Sequence, residues 1–262
     1  MSRLPWREDA AVWLAPSQVG LALRRRGWRN ALERHAHPAA VPHSADAALE
    51  ALGPLAAAAR PNRAHARIVV SNRFVRTALL PDGRTLRDAA ERRVAAREVL
   101  RGVHGDMVDG WHVAVDDEAA LGMPSAALDA GWLGRLRQQA RMLGLQAVSV
   151  RPLLAPAAAR AWSLLAGRPA WLLVTEPDGA LLARIDAARG WQSLHTKPLD
   201  GLQDRAALAR WVTRCALLDG LEPAELPLVH VAWSGAGQAP QGPPLALEGW
   251  DMQTLALDAS HF

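Results

Sequence analysis

The stretch Arg67–Pro81, RIVVSNRFVRTALLP, contains two strand patterns separated by the pair SN. Ile68–Val70 is a short continuous apolar run, which is typical of a buried strand. The residues after the SN pair alternate in polarity and end at Pro81, which cannot donate to a strand ladder, so they predict a second strand. We expect Phe74 to be buried between this strand pair and the helix that follows over residues 86–101.

The residues before this stretch predict a β-hairpin followed by a helix. Strands over 11–15 and 19–23 enclose the turn PSQ, and a helix begins at ADAALEAL with Ser44 or Asp46 as its cap. Between the hairpin and this helix, the Pro-, His- and Ala-rich residues 33–44 are interpreted as a solvated linker. Its histidines lack accompanying carboxylates or cysteines and therefore do not indicate a metal site.

The residues after the opening stretch alternate between helices and strands. An Arg- and Glu-rich helix over 87–105 ends at Gly102 or Gly105, and GWHVAVDD and AALGMP predict two strands. An amphipathic helix starts at a predicted cap, Ser125, and ends at Gly144. The strand QAVSVRP and the helix APAAARAWSLLAG follow, so strands and helices alternate around one sheet.

The second half of the chain repeats the same plan. AWLLVTEPDGALLARI predicts two strands around a PDG turn, GWQSLHTKPL a third, and a helix and the strands LPLVHVAW and MQTLALD follow. Hairpin, helix and strand thus occur in the same order twice, without repetition of sequence. We predict two lobes, residues 1–166 and 167–262, that divide near Ala166–Pro169.

Composition excludes several classes of protein. Half of the 262 residues are hydrophobic, which is enough for a sizeable core. Met1–Ala10 is polar, and the longest apolar runs are too short to cross a bilayer, so we expect a cytoplasmic protein. Cys215, the single cysteine, lies on an apolar helical stripe and is interpreted as a buried small hydrophobe.

The positive charge is carried almost entirely by arginine, with a formal net charge of +4. The densest cluster, RRRGWR at Arg24–Arg29, could contact phosphates. The favoured interpretation is the polar end of a hairpin, because no second basic face and no aromatic stacking platform accompany the cluster. We therefore expect no nucleic-acid partner.

With this doubled plan the chain resembles the actin-like ATPase superfamily. Within it, the chain is similar to PilM and to the cytoplasmic domain of GspL, the assembly proteins of type IV pili and type II secretion. SNRFVRTALLP, followed by an Ala/Arg/Glu helix and a GW strand, carries most of the resemblance, and LQAVSVRPLLAPAAARAW adds to it. The resemblance implies an α/β, actin-like (RNase H-like) fold with two lobes, mixed sheets flanked by helices, and reduced size.

The resemblance also implies a place for ATP, which the superfamily holds with two hairpin turns and a late glycine loop. Backbone N–H groups in such turns cradle phosphates while a carboxylate orients Mg²⁺. Here Pro16 and Pro177 each remove an N–H from a hairpin turn. What remains predicts a degenerate nucleotide cleft. Its candidate residues are Ser17, Asp178, Gly179, Ser234, Gly235 and Gly237.

No Walker, nucleophile-elbow, zincin or Cys-x-x-Cys motif is present, so we predict no catalytic residue, no metal site and no cofactor. The favoured hypothesis is a non-catalytic scaffold, recruited to the inner face of the inner membrane by the cytoplasmic segment of a pilus or secretion assembly protein. Trp28 and Trp250 lie in polar contexts and are the predicted partner contacts. The alternative is a nucleotide-binding actin-like ATPase or small-molecule kinase that binds Mg-ATP in the same cleft.

Overall fold

A computed structural model describes residues 8–25, 31–41, 44–80, 86, 88–116, 122–165, 167–186, 190–198, 205–223, 225–233, 245, 247 and 250–258. The described strands are β1 Asp9–Leu14, β2 Gln18–Arg25, β3 Ala31–Pro38, β4 Ala64–Val70, β5 Arg76–Leu80, β6 Trp111–Val115, β7 Met123–Asp129, β8 Leu145–Pro152, β9 Ala170–Glu176, β10 Gly179–Ile185, β11 Trp191–Pro198, β12 Leu228–Trp233 and β13 Met252–Leu257. The described α-helices are α1 Ala45–Ala59, α2 Ala89–His104, α3 Ala130–Met142, α4 Leu154–Leu165 and α5 Arg205–Leu218, and a 3-10 helix covers Gly105–Gly110. None of these helices is both long and apolar enough to span a bilayer.

Two five-stranded sheets share one topology. The first has the order β3-β2-β1-β4-β8 and the second the order β11-β10-β9-β12-β13. In each, the first three strands along the chain form an antiparallel meander, and the last two add in parallel beside the meander's first strand. The repeat of topology predicted from the sequence is therefore present, and the boundary between residues 166 and 167 stays a prediction.

The helices lie in three layers around these sheets. Neighbouring residues of β1 face opposite sides, since side chains alternate along a strand. Val12 packs into the core under α1 and α3, whereas Trp13 packs into a core shared by α4 and the second sheet. There Trp13 meets Trp233 edge to face, with ring centroids 4.9 Å apart. The far face of the second sheet is covered by α5, around Val212 and Cys215. Cys215 is buried, as predicted.

A third sheet, β5-β7-β6, forms a separate layer with α2, and its strand β5 lies against β11 of the second sheet. The strand predicted directly after SN therefore does not pair with β4. It pairs with β7 instead, with Leu80 opposite Met123, because the turn at Ser71–Phe74 redirects the chain out of the first sheet. The predicted burial of Phe74 against α2 is wrong. Phe74 is half-buried on Trp132 of α3, with ring centroids 6.0 Å apart.

The predicted helix cap at Ser125 is also wrong. Ser125 does not cap a helix: it lies inside β7, buried, and its hydroxyl donates to the carbonyl of Ala78 at 3.0 Å. The cap of α3 is Asp129, whose carboxylate accepts from the backbone N–H of Trp132 at 2.6 Å. The strand continues through Ser125 because its small hydroxyl finds a partner on β5, which removes the cost of burying it.

Residues 33–38 of the predicted linker form an edge strand, β3, while residues 42–43 lie outside the described residues. Glu33 stands opposite Leu23, and its carboxylate accepts from Nε of Arg25 at 2.8 Å. An edge strand tolerates such polar side chains because one side faces solvent. Two predicted helix caps are confirmed. The side chain of Ser44 accepts a hydrogen bond from the N–H of Ala47 at the start of α1, and Gly105 ends α2.

Candidate functional site

The turns of the two central hairpins contact each other directly. Asp178, between β9 and β10, accepts a hydrogen bond from the Ser17 hydroxyl at 2.7 Å and one from the Ser17 backbone N–H at 3.2 Å. Ser17 lies between β1 and β2, 161 residues earlier in the chain. The carboxylate of Asp178 therefore joins the first sheet to the second.

Gly179 makes room for an arginine from the opening stretch. A Cβ at Gly179 would lie 2.8 Å from Cδ of Arg73, so the aliphatic part of the Arg73 side chain crosses this position. Nε of Arg73 is buried and has no hydrogen-bond partner in the described part of the chain. The second hairpin is thus packed against the Ser71–Phe74 turn as well as against Ser17.

Asn72 of that turn binds two other segments. Its backbone N–H donates to Oε1 of Glu176 at 3.0 Å, and its side-chain oxygen accepts from the N–H of Leu154, the first residue of α4, at 3.0 Å. The side chains of Glu176 and Asn72 are buried, with Glu176 only 1% exposed. The SN pair therefore holds the start of α4 and the end of β9 at the same point.

Glu176 is an unusual group to bury. Its second oxygen, Oε2, has no hydrogen-bond partner among the described residues, and neither does Nδ2 of Asn72. Burial raises the pKa of Glu176 to about 7, because the ionised carboxylate loses its solvation, and the charge of Asp178 adds to the rise. The polar groups of Ser71 and Asn72 offset part of it.

Sequence reasoning singled out Asp178 and Gly179 and missed Glu176 and Asn72. The available signal was the strand AWLLVTE, in which a glutamate ends an otherwise apolar run whose residues are all buried. A carboxylate in such a run needs a specific partner. The partner here is a backbone N–H from a segment 104 residues away, which no local pattern reveals.

A second polar cluster lies on the far side of the same sheet. Ser193 and His195 of β11 both bind the carboxylate of Asp219, with His195 Nε2 at 3.0 Å from Oδ1. Serine, histidine and aspartate form a hydrolytic triad only when the serine is bonded to the histidine, which removes its proton. Here the carboxylate binds both of the others, so the cluster does not have the hydrogen-bond order of such a triad.

The other predicted site residues are placed as follows. Trp250 is half-buried and packs on the core beneath α5. Trp28 and the late loop residues Ser234, Gly235 and Gly237 lie outside the described residues. The structure thus brings together Ser17, Asp178 and Gly179, and their role in a nucleotide cleft stays a prediction.

A surface groove of about 390 Å³ lies between α2 and β6, away from the hairpin turns. Arg93, Arg97 and the 62%-exposed Val94 line it from α2, with Trp111 and His112 opposite. The described residues that line it include no carboxylate. Arg97 is held in place because its guanidinium donates to the carbonyls of Val108 and Trp111. The groove is therefore positively charged with an apolar floor.

The doubled five-stranded sheets and the facing hairpin turns define an α/β protein with the actin-like fold. No family model matches the chain, and no curated protein does. Among solved structures it is similar to the cytoplasmic domain of EpsL, an inner membrane component of the type II secretion system of Vibrio cholerae, with 12% identity, a TM-score of 0.55, and coverage of 97% of this chain and 92% of that one.

It is also similar to a chain of the PilM–PilN type IV pilus biogenesis complex, with 15% identity, a TM-score of 0.63, and coverage of 98% of this chain and 93% of that one. A protein of Bacteroides thetaiotaomicron with an actin-like ATPase fold and unknown function shares 7% identity at a TM-score of 0.58, over 92% of this chain and 87% of that one. At such identities the likeness is one of fold, and it confirms the fold predicted from the sequence.

Proposed function

We propose that this protein is a non-catalytic scaffold of a pilus or secretion assembly machine, and that it binds the cytoplasmic segment of an inner-membrane partner. Its location would be the cytoplasmic face of the inner membrane, reached through that partner. Support comes from the likeness in fold to the cytoplasmic domain of EpsL and to the PilM–PilN complex. Whether nucleotide chemistry accompanies this role depends on the two hairpin turns.

The observation that carries the non-catalytic part is the bonding of Ser17 to Asp178. Phosphate is held in such turns by donors, chiefly backbone N–H groups. The N–H and the hydroxyl of Ser17 both donate to the Asp178 carboxylate, so a phosphate would have to displace a negative group already in place. Pro16 and Pro177 offer no N–H of their own. The donors of Ser17 are thus already bonded to Asp178, which favours a direct contact between the hairpins over a phosphate site.

The alternative, a nucleotide-binding ATPase or small-molecule kinase, keeps one observation in its favour. Asp178 and Ser17 are the residue types that hold Mg²⁺ and phosphate in such enzymes, and they face each other. Isothermal titration with Mg-ATP separates the two functions. We expect no saturable binding to the unaltered protein. Magnesium-dependent binding that disappears in Asp178→Ala would refute the scaffold assignment.

The groove between α2 and β6 offers a place for the partner's segment. Its arginines and its exposed Val94 suit a short peptide that combines acidic residues with an apolar anchor, because opposite charge and buried apolar area both favour such a contact. β6 pairs only with β7 within the described residues, so its other edge is open to an extended segment. This is a mode of binding in which backbone bonds supply affinity.

Co-purification from a native membrane extract tests the partner, with a matched pair of variants on one helix. Val94→Glu places in the groove a negative charge that repels an acidic peptide, whereas Val103→Glu changes a comparably exposed valine, at 73% against 62%, that does not line the groove. We expect recovery of pilus or secretion proteins with the unaltered protein and Val103→Glu, and loss with Val94→Glu. Equal recovery with both variants would place the partner elsewhere, and recovery with none would contradict the scaffold.

A further inference from the structure

Two segments that are distant in sequence meet at a contact we call the junction, formed by the turn Ser71–Phe74 and the hairpin turn Glu176–Gly179. The hydrogen bond from the Asn72 N–H to Glu176 joins them, and the stem of Arg73 packs across Gly179. No described ion pair neutralises Glu176. The junction is therefore a buried contact whose strength depends on the charge of one carboxyl group.

We propose that Glu176 is a proton-controlled contact: the junction is closed while the carboxyl is protonated and opens when it ionises. A protonated carboxyl has one acidic hydrogen to donate and still accepts the Asn72 N–H through its carbonyl oxygen. An ionised one carries a full charge in a buried position, where the described residues give it one hydrogen bond, from the Asn72 N–H, and the polar groups of Ser71 and Asn72 offset only part of the cost of burial. Ionisation therefore favours movement of the hairpin turn toward water, which withdraws it from the Ser71–Phe74 turn.

The charged groups around Glu176 favour this behaviour. Asp178 on the same turn repels the ionised form. Arg73 makes no hydrogen bond to Glu176, and Lys197 of β11 approaches Gly179 with its backbone carbonyl. His230, which bonds Thr175 through Nε2 at 2.9 Å, has its pKa lowered to about 4 by burial and stays neutral above that. The β1–β2 turn and the first turn of α4 carry no ionisable side chain.

This behaviour requires neither a partner nor a nucleotide. It concerns how the second hairpin is held against the first sheet, and burial raises the pKa of Glu176 to about 7, close to neutral pH. A small change in pH would then change the fraction of molecules in which the junction is open. The Ser17–Asp178 bonds lie beside the junction and limit how far the hairpin moves.

Hydrogen exchange measures the junction directly, because the Asn72 amide is itself the donor to Glu176. We would record protection of the amides of 71–75 and 174–181 at pH 5.5 and 8.5, corrected for the intrinsic effect of pH on exchange. The variant is Glu176→Gln, which keeps the shape and cannot ionise. The control is Glu50→Gln, an exposed glutamate on α1.

In the unaltered protein and in Glu50→Gln, we expect protection at the junction to fall by about 30-fold between pH 5.5 and 8.5, since the interval includes about 1.5 pH units below the pKa of Glu176 and each unit is a tenfold change. In Glu176→Gln it should stay constant. Equal protection at both pH values in the unaltered protein would overturn the proposal, whether or not the variant folds. So would a fall of the same size across α3, which would mean global unfolding, or a fall that persists in Glu176→Gln.

Discussion

Removing the contact between Ser17 and Asp178 should destabilise the protein, and the effects of the two single variants should not be additive. Asp178→Ala removes an acceptor of two hydrogen bonds, and Ser17→Ala removes the hydroxyl donor alone. A bond to a charged group contributes about 1.5–3 kcal/mol, and because both residues are only partly buried, solvent screening reduces each bond to about 1 kcal/mol. We expect losses of about 2 kcal/mol for Asp178→Ala and about 1 kcal/mol for Ser17→Ala.

The double variant tests whether these losses belong to one interaction. Because the hydroxyl bond is absent once either partner is gone, the double variant should lose about 1 kcal/mol less than the sum of the single variants. Urea unfolding at pH 7 gives each free energy. Ser163→Ala, an exposed serine on α4, serves as the control with Asp178→Ala and should be additive. Strict additivity for Ser17 and Asp178 as well would mean that their bond contributes nothing in solution.

Three smaller predictions concern packing. Gly144→Ala should lower the free energy of unfolding in urea by more than about 2 kcal/mol, because φ is +79° and a Cβ would lie 2.5 Å from a carbonyl oxygen. Gly53→Ala should raise it by about 0.5–1 kcal/mol, because this position in α1 has open space around it. Phe74→Ala should lower the free energy of unfolding by about 2–3 kcal/mol, because Phe74 is half-buried on Trp132. An unchanged melting temperature would contradict that contact. Cys215 should react with a thiol reagent only as fast as the protein unfolds, because it is buried and burial raises the pKa of its thiol to about 11. Rapid reaction in native buffer would refute its burial.

Local patterns predicted most of the secondary structure. The first and second hairpins, α1, α2, α4 and the parallel strands were all predicted near their observed positions, because each has its own turn chemistry or periodicity. Errors occurred where a tertiary partner overrides the local signal. Residues 33–38 look like a linker until β2 supplies a strand to pair with, and Ser125 looks like a cap until β5 supplies an acceptor.

The contacts between distant segments could not be predicted in the same way. Ser17 and Asp178 were both named from the sequence, yet their direct bond depends on how two sheets are placed by α4 and the Trp13–Trp233 pair. Glu176 was missed because the hydrogen bond it accepts among the described residues comes from a backbone N–H, which carries no residue identity. Sequence thus indicates which turns matter, and the packing of the sheets decides what they bind.

The charge of Asp178 raises the pKa of Glu176, and this effect on stability can be tested by its pH dependence. Glu176 has its pKa raised from 4.5 to about 7, so its contribution to stability is fully present below pH 4.5 and is lost as the pH rises through 7, a loss of about 3 kcal/mol at 1.36 kcal/mol per unit. The charge of Asp178 supplies part of that rise. Asp178→Asn keeps an oxygen for Ser17 and removes the charge.

In Asp178→Asn the pKa of Glu176 should therefore fall. The loss of stability should still begin near pH 4.5, the unfolded-state value, but it should end at lower pH and be smaller in total. Urea unfolding at half-unit intervals from pH 4.5 to 8.5 measures both quantities, with Asp106→Asn, an exposed aspartate of the 3-10 helix, as the control. A profile unchanged from that of the unaltered protein would mean that the two carboxylates do not sense each other. A shift to higher pH would reverse the sign and show that Asp178 helps Glu176 to ionise, which the repulsion of like charges in a buried turn does not allow.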